Sequence, residues 1–345
     1  MRGMYLDHNA TSPMPKAVRE AVFAAMERHW ANPDSPHRLG QDAAMAVQRA
    51  RTIVADRVGA RPKDVTFTSG ATEANAWVLG QSSVPVVAVA TEHPSVLAWA
   101  DDVVPVDADG VVNFNALEAR LRAGPALVSV MAANNETGVI QPIEEVRKLV
   151  HRYGARLHCD ATQWVGRMER TPAADWLTVS AHKLGGPRGV GALIGAEAPP
   201  ESLLRGGAQE RGRRGGTVNA PGIIGFGVAV EHAKPAEAAE RDALEAFCRS
   251  RGAAIIGEGA DRLPNTLCAL FAHPGDLIVA GLDLEGVFAS TGSACSSGSA
   301  QASHVLEAMG VSGVPVRFSL GHDSAAQPAI DALSTVLGRL EDACA

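Results

Sequence analysis

Residues 176–195 read WLTVSAHKLGGPRGVGALIG. Two apolar runs, WLTVSAH and VGALIG, bracket a lysine and a glycine-rich loop. Neither run alternates strictly between apolar and polar residues, which is the pattern of strands covered on both faces. Lys183 therefore stands at the end of a buried strand, where a charge is unfavourable unless it is paired or used. A desolvated lysine gives up its proton more readily and can form a Schiff base with a carbonyl group. A snorkelling surface lysine fits this segment, taken alone, as well.

Working outward, the same kind of run recurs in DVTFTSG, VPVVAVA, ALVSVMAA and ARLHCDA. Helical patterns such as QDAAMAVQRARTIVADRVG and IEEVRKLVHRYG lie between them. Alternation of strand and helix predicts an α/β fold with a largely parallel sheet. Near residue 230 the rhythm changes. AVEHAKPAEAAERDALEAFCRSRG reads as a long helix interrupted at Pro235, and AAIIG, TLCALFA and VPVRFSLG read as strands of a smaller α+β domain.

Composition agrees with this division. The 345 residues suggest two domains, or one large domain with an appendage. Hydrophobic residues make up 46% and charged residues 20%, as in a soluble globular protein. A net charge of −7 argues against nucleic acid as the main partner and for a small-molecule enzyme. The five cysteines are an odd number without a CxxC, so neither a disulfide framework nor a metal site of familiar spacing is indicated. MRGMYLDHNATSPMPK holds no long apolar run, and the expectation is a cytoplasmic protein with no secretory signal and no membrane span.

The residues that follow each strand carry the chemistry. VTF is followed by TSGATEAN, VAVA by TEHPS, SVMAA by NNETG, RLHC by DATQ and LTV by SAHK. Open α/β sheets bind ligands outside the carboxyl ends of their strands. In SGATEAN, Gly70 allows a tight turn, and Ala71 and Thr72 open a helix whose free N–H groups favour an anion; the alternative is an ordinary helix cap. Asp160 is placed to keep a pyridinium nitrogen protonated, as a pyridoxal phosphate (PLP) electron sink requires, or else to cap the next helix. His93 suits ring stacking or proton relay, and a structural role equally. Ser180 and His182 flank the lysine and offer donors to a phosphate. The arginines of RGGAQERGRRGGTVNAPG read mostly as a solvated basic loop.

Cys295 stands in STGSACSSGSA, residues 290–300. Gly292 and Gly298 give that loop mobility and the serines keep the thiol in a polar setting, which suits an accessible thiolate; a small packed residue in a turn is the alternative. Cys159, Cys248, Cys268 and Cys344 lie in strand-like, helical or tail contexts and none is expected to be catalytic.

Together these segments resemble the cysteine desulfurases, PLP enzymes of the class V aminotransferase group. The resemblance runs in order through YLDHNATSP, NPDSPHRLG, FTSGATEAN, TEHPSVL, NNETGVIQPI, HCDATQWVG, SAHKLGGPRGVGAL, GGAQERGRRGGT, STGSACSSGSAQASHVLEAMG and VRFSLG. It implies fold type I, with a mostly parallel central sheet flanked by helices. The large PLP domain is then residues 15–242, and the small α+β domain is residues 1–14 and 243–345. It also implies a homodimer. By position, Lys183 resembles the Schiff-base lysine, Asp160 the partner of the pyridine nitrogen, and Gln163 and Asn135 the residues around the phenolic oxygen. Ala71, Thr72, Ser180 and His182 resemble the phosphate cup, Thr217 a phosphate contact from the other subunit, and His93 the ring-stacking histidine. Asn32, Asn135 and Arg317 resemble the substrate side, with Arg317 gripping a carboxylate. Cys295 resembles the persulfide-forming cysteine, in the branch with an extended mobile loop. The implied activity is removal of sulfur from L-cysteine to give L-alanine and a persulfide that passes to an acceptor protein, such as an iron–sulfur scaffold. A selenocysteine lyase and a non-catalytic sulfur-relay subunit are the competing readings. The Cys295 loop argues against the first, and the intact lysine, aspartate and cysteine against the second.

Overall fold

The computed structural model describes residues 3–197, 199, 201–292 and 303–344. In chain order the elements are β1 (Met4–Tyr5), α1 (Lys16–Arg28), α2 (Arg38–Arg57), β2 (Val65–Thr68), α3 (Ala71–Gly80), β3 (Val86–Val89), α4 (Pro94–Leu97), β4 (Asp102–Val104), α5 (Phe114–Arg122) and β5 (Leu127–Ser129). They continue with α6 (Ile143–Arg152), β6 (Arg156–Asp160), β7 (Trp176–Ser180), β8 (Gly191–Gly195), α7 (Ala220–His232), α8 (Ala239–Ser250), β9 (Ala254–Ile255) and β10 (Thr266–Leu270). The last are α9 (Gly275–Leu284), β11 (Val287–Phe288), α10 (His304–Ala308), β12 (Val316–Ser319) and α11 (Ala326–Cys344). The six apolar runs of the first half are all strands, and the long helix breaks where Pro235 falls, between α7 and α8.

Among the described residues three sheets form. The main sheet has the order β2-β8-β7-β6-β5-β3-β4. Strands β7, β6, β5, β3 and β4 pair in parallel, whereas β8 is antiparallel to both of its neighbours, β7 and β2. The sheet is mostly parallel, as expected, with β8 as the one reversed strand among the described residues. The cause of the reversal is the lysine loop, because the ten residues between Ser180 and Gly191 are too few for a parallel crossover and suffice for an antiparallel return. Strand β4 was not legible: two of its three residues are exposed, so this edge strand leaves no apolar run. The smaller sheets are β12-β10-β9 and the two-residue pair β1-β11.

Strands β2, β3, β5 and β8 of the main sheet are buried throughout, as their unbroken apolar runs require. Helix α6 shows how a helix reaches this sheet. Ile143, Val146, Leu149 and Val150 share one buried stripe, with Glu144 and Glu145 in the first turn and His151 and Arg152 in the last, each sign at the end of the helix dipole that favours it. A second core gathers Leu6 from the N-terminal segment with Leu244, Ile278, Phe318 and Leu333 from the C-terminal part. No helix among the described residues is long and apolar enough to cross a membrane.

One close approach shapes the functional edge of the main sheet. A Cβ built on Gly191 would stand 2.7 Å from the Val179 carbonyl oxygen and 2.8 Å from Gly70 Cα, all of it backbone. Glycine at 191 lets β8 lie against the turn that feeds α3. Gly191→Ala is expected to destabilise the protein by about 1–3 kcal/mol through overpacking. Gly338, in α11, has nothing within 4 Å of such a Cβ, and Gly338→Ala is expected to stabilise by about 0.5–1 kcal/mol. Denaturant unfolding of the two variants side by side checks both signs.

Candidate active site

The parallel strands deliver their carboxyl ends to one edge of the sheet, and a cavity of about 670 Å³ opens there. Its walls include Ala71 and Thr72 after β2, His93 after β3, Asn135 after β5, Asp160 and Gln163 after β6, Ser180, His182 and Lys183 after β7, and Arg317 from β12. All five strand ends singled out in the sequence thus meet in one place.

Lys183 sits in a short 3-10 turn, Ala181–Leu184, directly after β7. The turn is closed by Gly185, whose φ of +85° is the left-handed region that glycine enters without penalty. Lys183 Nζ donates to the carbonyls of Asn9 at 2.6 Å and Ala10 at 2.9 Å. Asp160 ends β6, buried, and accepts from Asn75 Nδ2 at 2.9 Å and from the Thr162 N–H at 2.9 Å. No ion pair to Asp160 occurs among the described residues. Asn75 also donates to Ser95 Oγ at 3.0 Å, and Ser95 Oγ lies 2.8 Å from His93 Nδ1. The Ser95 backbone N–H donates to the same Nδ1 at 3.1 Å, so in the neutral ring the proton sits on Nε2. Burial holds the His93 pKa below its usual value. Asn75 therefore couples the carboxylate to the imidazole. Its only sequence signal is its place one turn into the helix that SGATEAN opens.

The opposite wall holds a buried ion pair. Arg317, 1% exposed, pairs with Asp7 at 2.5 Å and donates to the carbonyls of Asn135 and Gly292. Its Nε has no partner among the described residues. His304, at the start of α10, lines the cavity and donates from Nε2 to the Glu92 carbonyl at 2.9 Å. Glu136, also in the wall, accepts from Ser303 Oγ at 2.7 Å. None of Asn75, His304, Glu136 or Asn9 was singled out in the sequence, because each acts through a partner distant in the chain.

The donor set fits PLP. The first-turn N–H groups of α3, with the hydroxyls of Thr72 and Ser180, suit a phosphate, since the opening amides of a helix have no intrahelical partner. Asp160, buried and in no ion pair among the described residues, suits a protonated ring nitrogen. Lys183 suits covalent attachment.

Two expected site residues stand apart. Asn32 lies in a separate depression with Trp30, His37, Arg38 and Leu39, its Oδ1 accepting from the Asp34 N–H at 3.0 Å. Thr217 is exposed and outside the cavity of its own chain. Cys295 lies outside the described residues. Cys159, Cys248 and Cys268 are buried free thiols; burial pushes Cys248 and Cys268 up to about 12 and Cys159 higher than its usual value too, so none is a thiolate at neutral pH. The arginine-rich loop is less solvated than its composition suggests. Arg214 pairs with Glu73 at 3.0 Å, and Arg211 and Arg213 donate to the carbonyls of Val65 and Lys63.

The family described as aminotransferase class-V matches residues 4–333. A cysteine desulfurase of Cereibacter sphaeroides is 39% identical, covering 99% of this chain and 96% of that protein. The cysteine desulfurase IscS of Dictyoglomus turgidum is 37% identical, covering 93% of this chain and 90% of that one. Among solved structures, a NifS-like protein from Rickettsia africae superposes with a TM-score of 0.87 at 29% identity, covering 99% of each chain.

The histidines around the lysine make acid a specific stress. Burial, helped by neighbouring cations, lowers His8 and His182 from 6.5 to about 4. Between those values the unfolded chain binds more protons than the folded one, so stability falls as pH drops from 6.5 towards 4 and is unaffected by these groups above 6.5. Thermal unfolding across pH 4–8 should show that fall, and His182→Gln should make it shallower. An unchanged slope would remove His182 from this account.

Proposed function

Because the chain belongs to the class V aminotransferases, and within them to the cysteine desulfurases, we propose that the cavity binds PLP and takes the sulfur atom from L-cysteine. The observation that carries this reading is the meeting of Lys183 and a buried Asp160, which makes no ion pair among the described residues, beside the open N-terminus of α3. PLP, when bound, supplies an electron sink for the carbon skeleton from which sulfur leaves. The chain's own residues supply the rest.

Lys183 would hold the cofactor covalently and, once freed by the substrate amine, would take the proton from the substrate Cα. Asp160 keeps the proton on the ring nitrogen, and Asn75 keeps Asp160 in place. Ala71, Thr72, Ser180 and His182 would hold the phosphate, Gln163 and Asn135 the phenolic oxygen, and His93 the face of the ring. Arg317 pairs with the substrate carboxylate, exchanging a carbonyl partner for it. Cys295, as thiolate, attacks the substrate sulfur; the carbon–sulfur bond breaks, L-alanine leaves, and Cys295 carries the persulfide. Its sulfur then passes to an acceptor protein in the cytoplasm, in the iron–sulfur assembly role for which such enzymes are used. Residues 1–14 and 243–345 form the smaller unit that brings Cys295 and Arg317 to the large domain, residues 15–242. Thr217, exposed on its own chain, reaches the phosphate of the partner subunit in a homodimer.

Mass spectrometry after exposure to cysteine without reductant tests the central step. The parent should gain one sulfur on the peptide containing Cys295. Cys295→Ser should fold and bind PLP but gain none, because a hydroxyl is a poor nucleophile towards sulfur. Lys183→Ala should neither turn over nor yield a borohydride-fixed pyridoxyl peptide. Persulfide found on Cys159, Cys248, Cys268 or Cys344 would overturn the assignment. Arg317→Ala should lower kcat/KM for cysteine by about 30-fold or more, equivalent to about 2 kcal/mol or more, while PLP stays bound.

A further inference from the structure

Arg167 is a buried guanidinium without a carboxylate. It is 7% exposed and makes no ion pair among the described residues. All its hydrogen bonds go to uncharged oxygens. NH1 donates to the Gln163 carbonyl at 3.1 Å and to the Gln163 side-chain oxygen; NH2 donates to the carbonyls of His8 at 3.0 Å and Lys183 at 3.3 Å. Burial, and next the charge on Arg317, lowers its pKa to about 9, so it stays protonated at neutral pH. A buried cation with no counter-charge is costly, and its contacts show what it holds.

A guanidinium only donates, so the Gln163 atom against it is the oxygen. At the other end of the amide, Nε2 donates to the Asn9 carbonyl at 3.0 Å, and a carbonyl only accepts. Two neighbours impose the same orientation. The amide nitrogen has two N–H bonds. One goes to Asn9, and Gln163 lines the cavity, so the second is left for whatever occupies it.

We propose that Arg167 is a positioning residue that locks Gln163 as an N–H donor to the cavity, where it holds the phenolic oxygen of PLP. The proposal rests on the reading of the cavity as a PLP site. Arg167 touches neither cofactor nor substrate. It acts through Gln163, and through the carbonyls of His8 and Lys183 it sets the N-terminal segment and the lysine loop in register with that donor. Its positive charge behind the amide favours an anionic oxygen in front of it.

The test is a double-mutant cycle on the full-length enzyme, stripped of cofactor and titrated with PLP. The readouts are the PLP dissociation constant and the position of the visible absorption band, which a purely structural role would not move. Gln163→Leu should weaken PLP by about tenfold and shift the band, the effect of losing one hydrogen bond to a charged oxygen. Arg167→Met should do the same in the parent background. In the Gln163→Leu background it should weaken PLP by no more than about twofold further, with no further shift, because coupled residues are not additive. Equal losses in the two backgrounds would overturn the proposal. Arg167→Lys keeps a donor-only cation and should recover most of the affinity; if the methionine variant does not fold, the lysine variant decides, and a deficit of equal size in both backgrounds overturns the proposal. A parent protein that binds no PLP at all would instead sink the functional reading on which the inference rests.

Discussion

Asn9 is the joint on which the site depends. It is buried at the end of the N-terminal segment, between the main sheet and the smaller one. Its carbonyl accepts from Lys183 Nζ and from Gln163 Nε2. Its side-chain nitrogen donates to the Asn135 carbonyl at 3.1 Å and to Thr266 Oγ1 at 3.0 Å, and its backbone N–H donates to Ser319 Oγ at 2.9 Å. Five segments distant in sequence are held by one residue. Buried polar groups are stable only when paired, so this pairing requires the two sheets to meet at one distance and in one register. Of its polar atoms, Asn9 Oδ1 has no partner among the described residues.

Around that joint the charges are sorted by sign. The cations Lys183, Arg167 and Arg317 lie on one side; after burial itself, Arg167 lowers the proton affinity of His8, and Lys183, Arg188 and Arg167 lower that of His182. On the other side two carboxyls are close. Glu92 is fully buried and accepts from the Met131 N–H, and burial together with the charge of Asp160 raises its pKa far above the usual carboxylate range. Two neighbouring carboxyls in a low-dielectric site do not both ionise. Glu92 therefore holds its proton, and Asp160 is the carboxyl that a ring nitrogen would meet.

The arginine-rich loop is placed with similar force. Glu210 and Arg211 adopt φ values of 48° and 61°, a region unfavourable for side chains with a Cβ. The strain is held by a buried, bidentate pair of Glu210 with Arg51 of α2, at 2.6 and 2.7 Å, and by the Phe67 N–H of β2, which donates to Glu210 at 2.8 Å. This fastens the loop that exposes Thr217 to the same strand whose end opens α3.

The strand ends were legible in the sequence because each is written locally. An unbroken apolar run stops where the chain leaves the core, and the next residue is the one presented at the sheet edge; Asp160, Ser180, Lys183, His93, Ala71 and Thr72 were found in this way. The reversal of β8 was in principle legible too, from a connection too short to cross over. Asn9, Asn75, Arg167 and His304 were not. Each has at least one partner between 85 and 212 residues away, and a hydrogen bond between distant segments leaves no periodicity in either. For the same reason only the tertiary structure separates Asn32 and Thr217 from the cavity of their own chain. Residue types and strand ends come from local burial, while orientation, charge and tautomer come from pairings that exist only after the two sheets have packed.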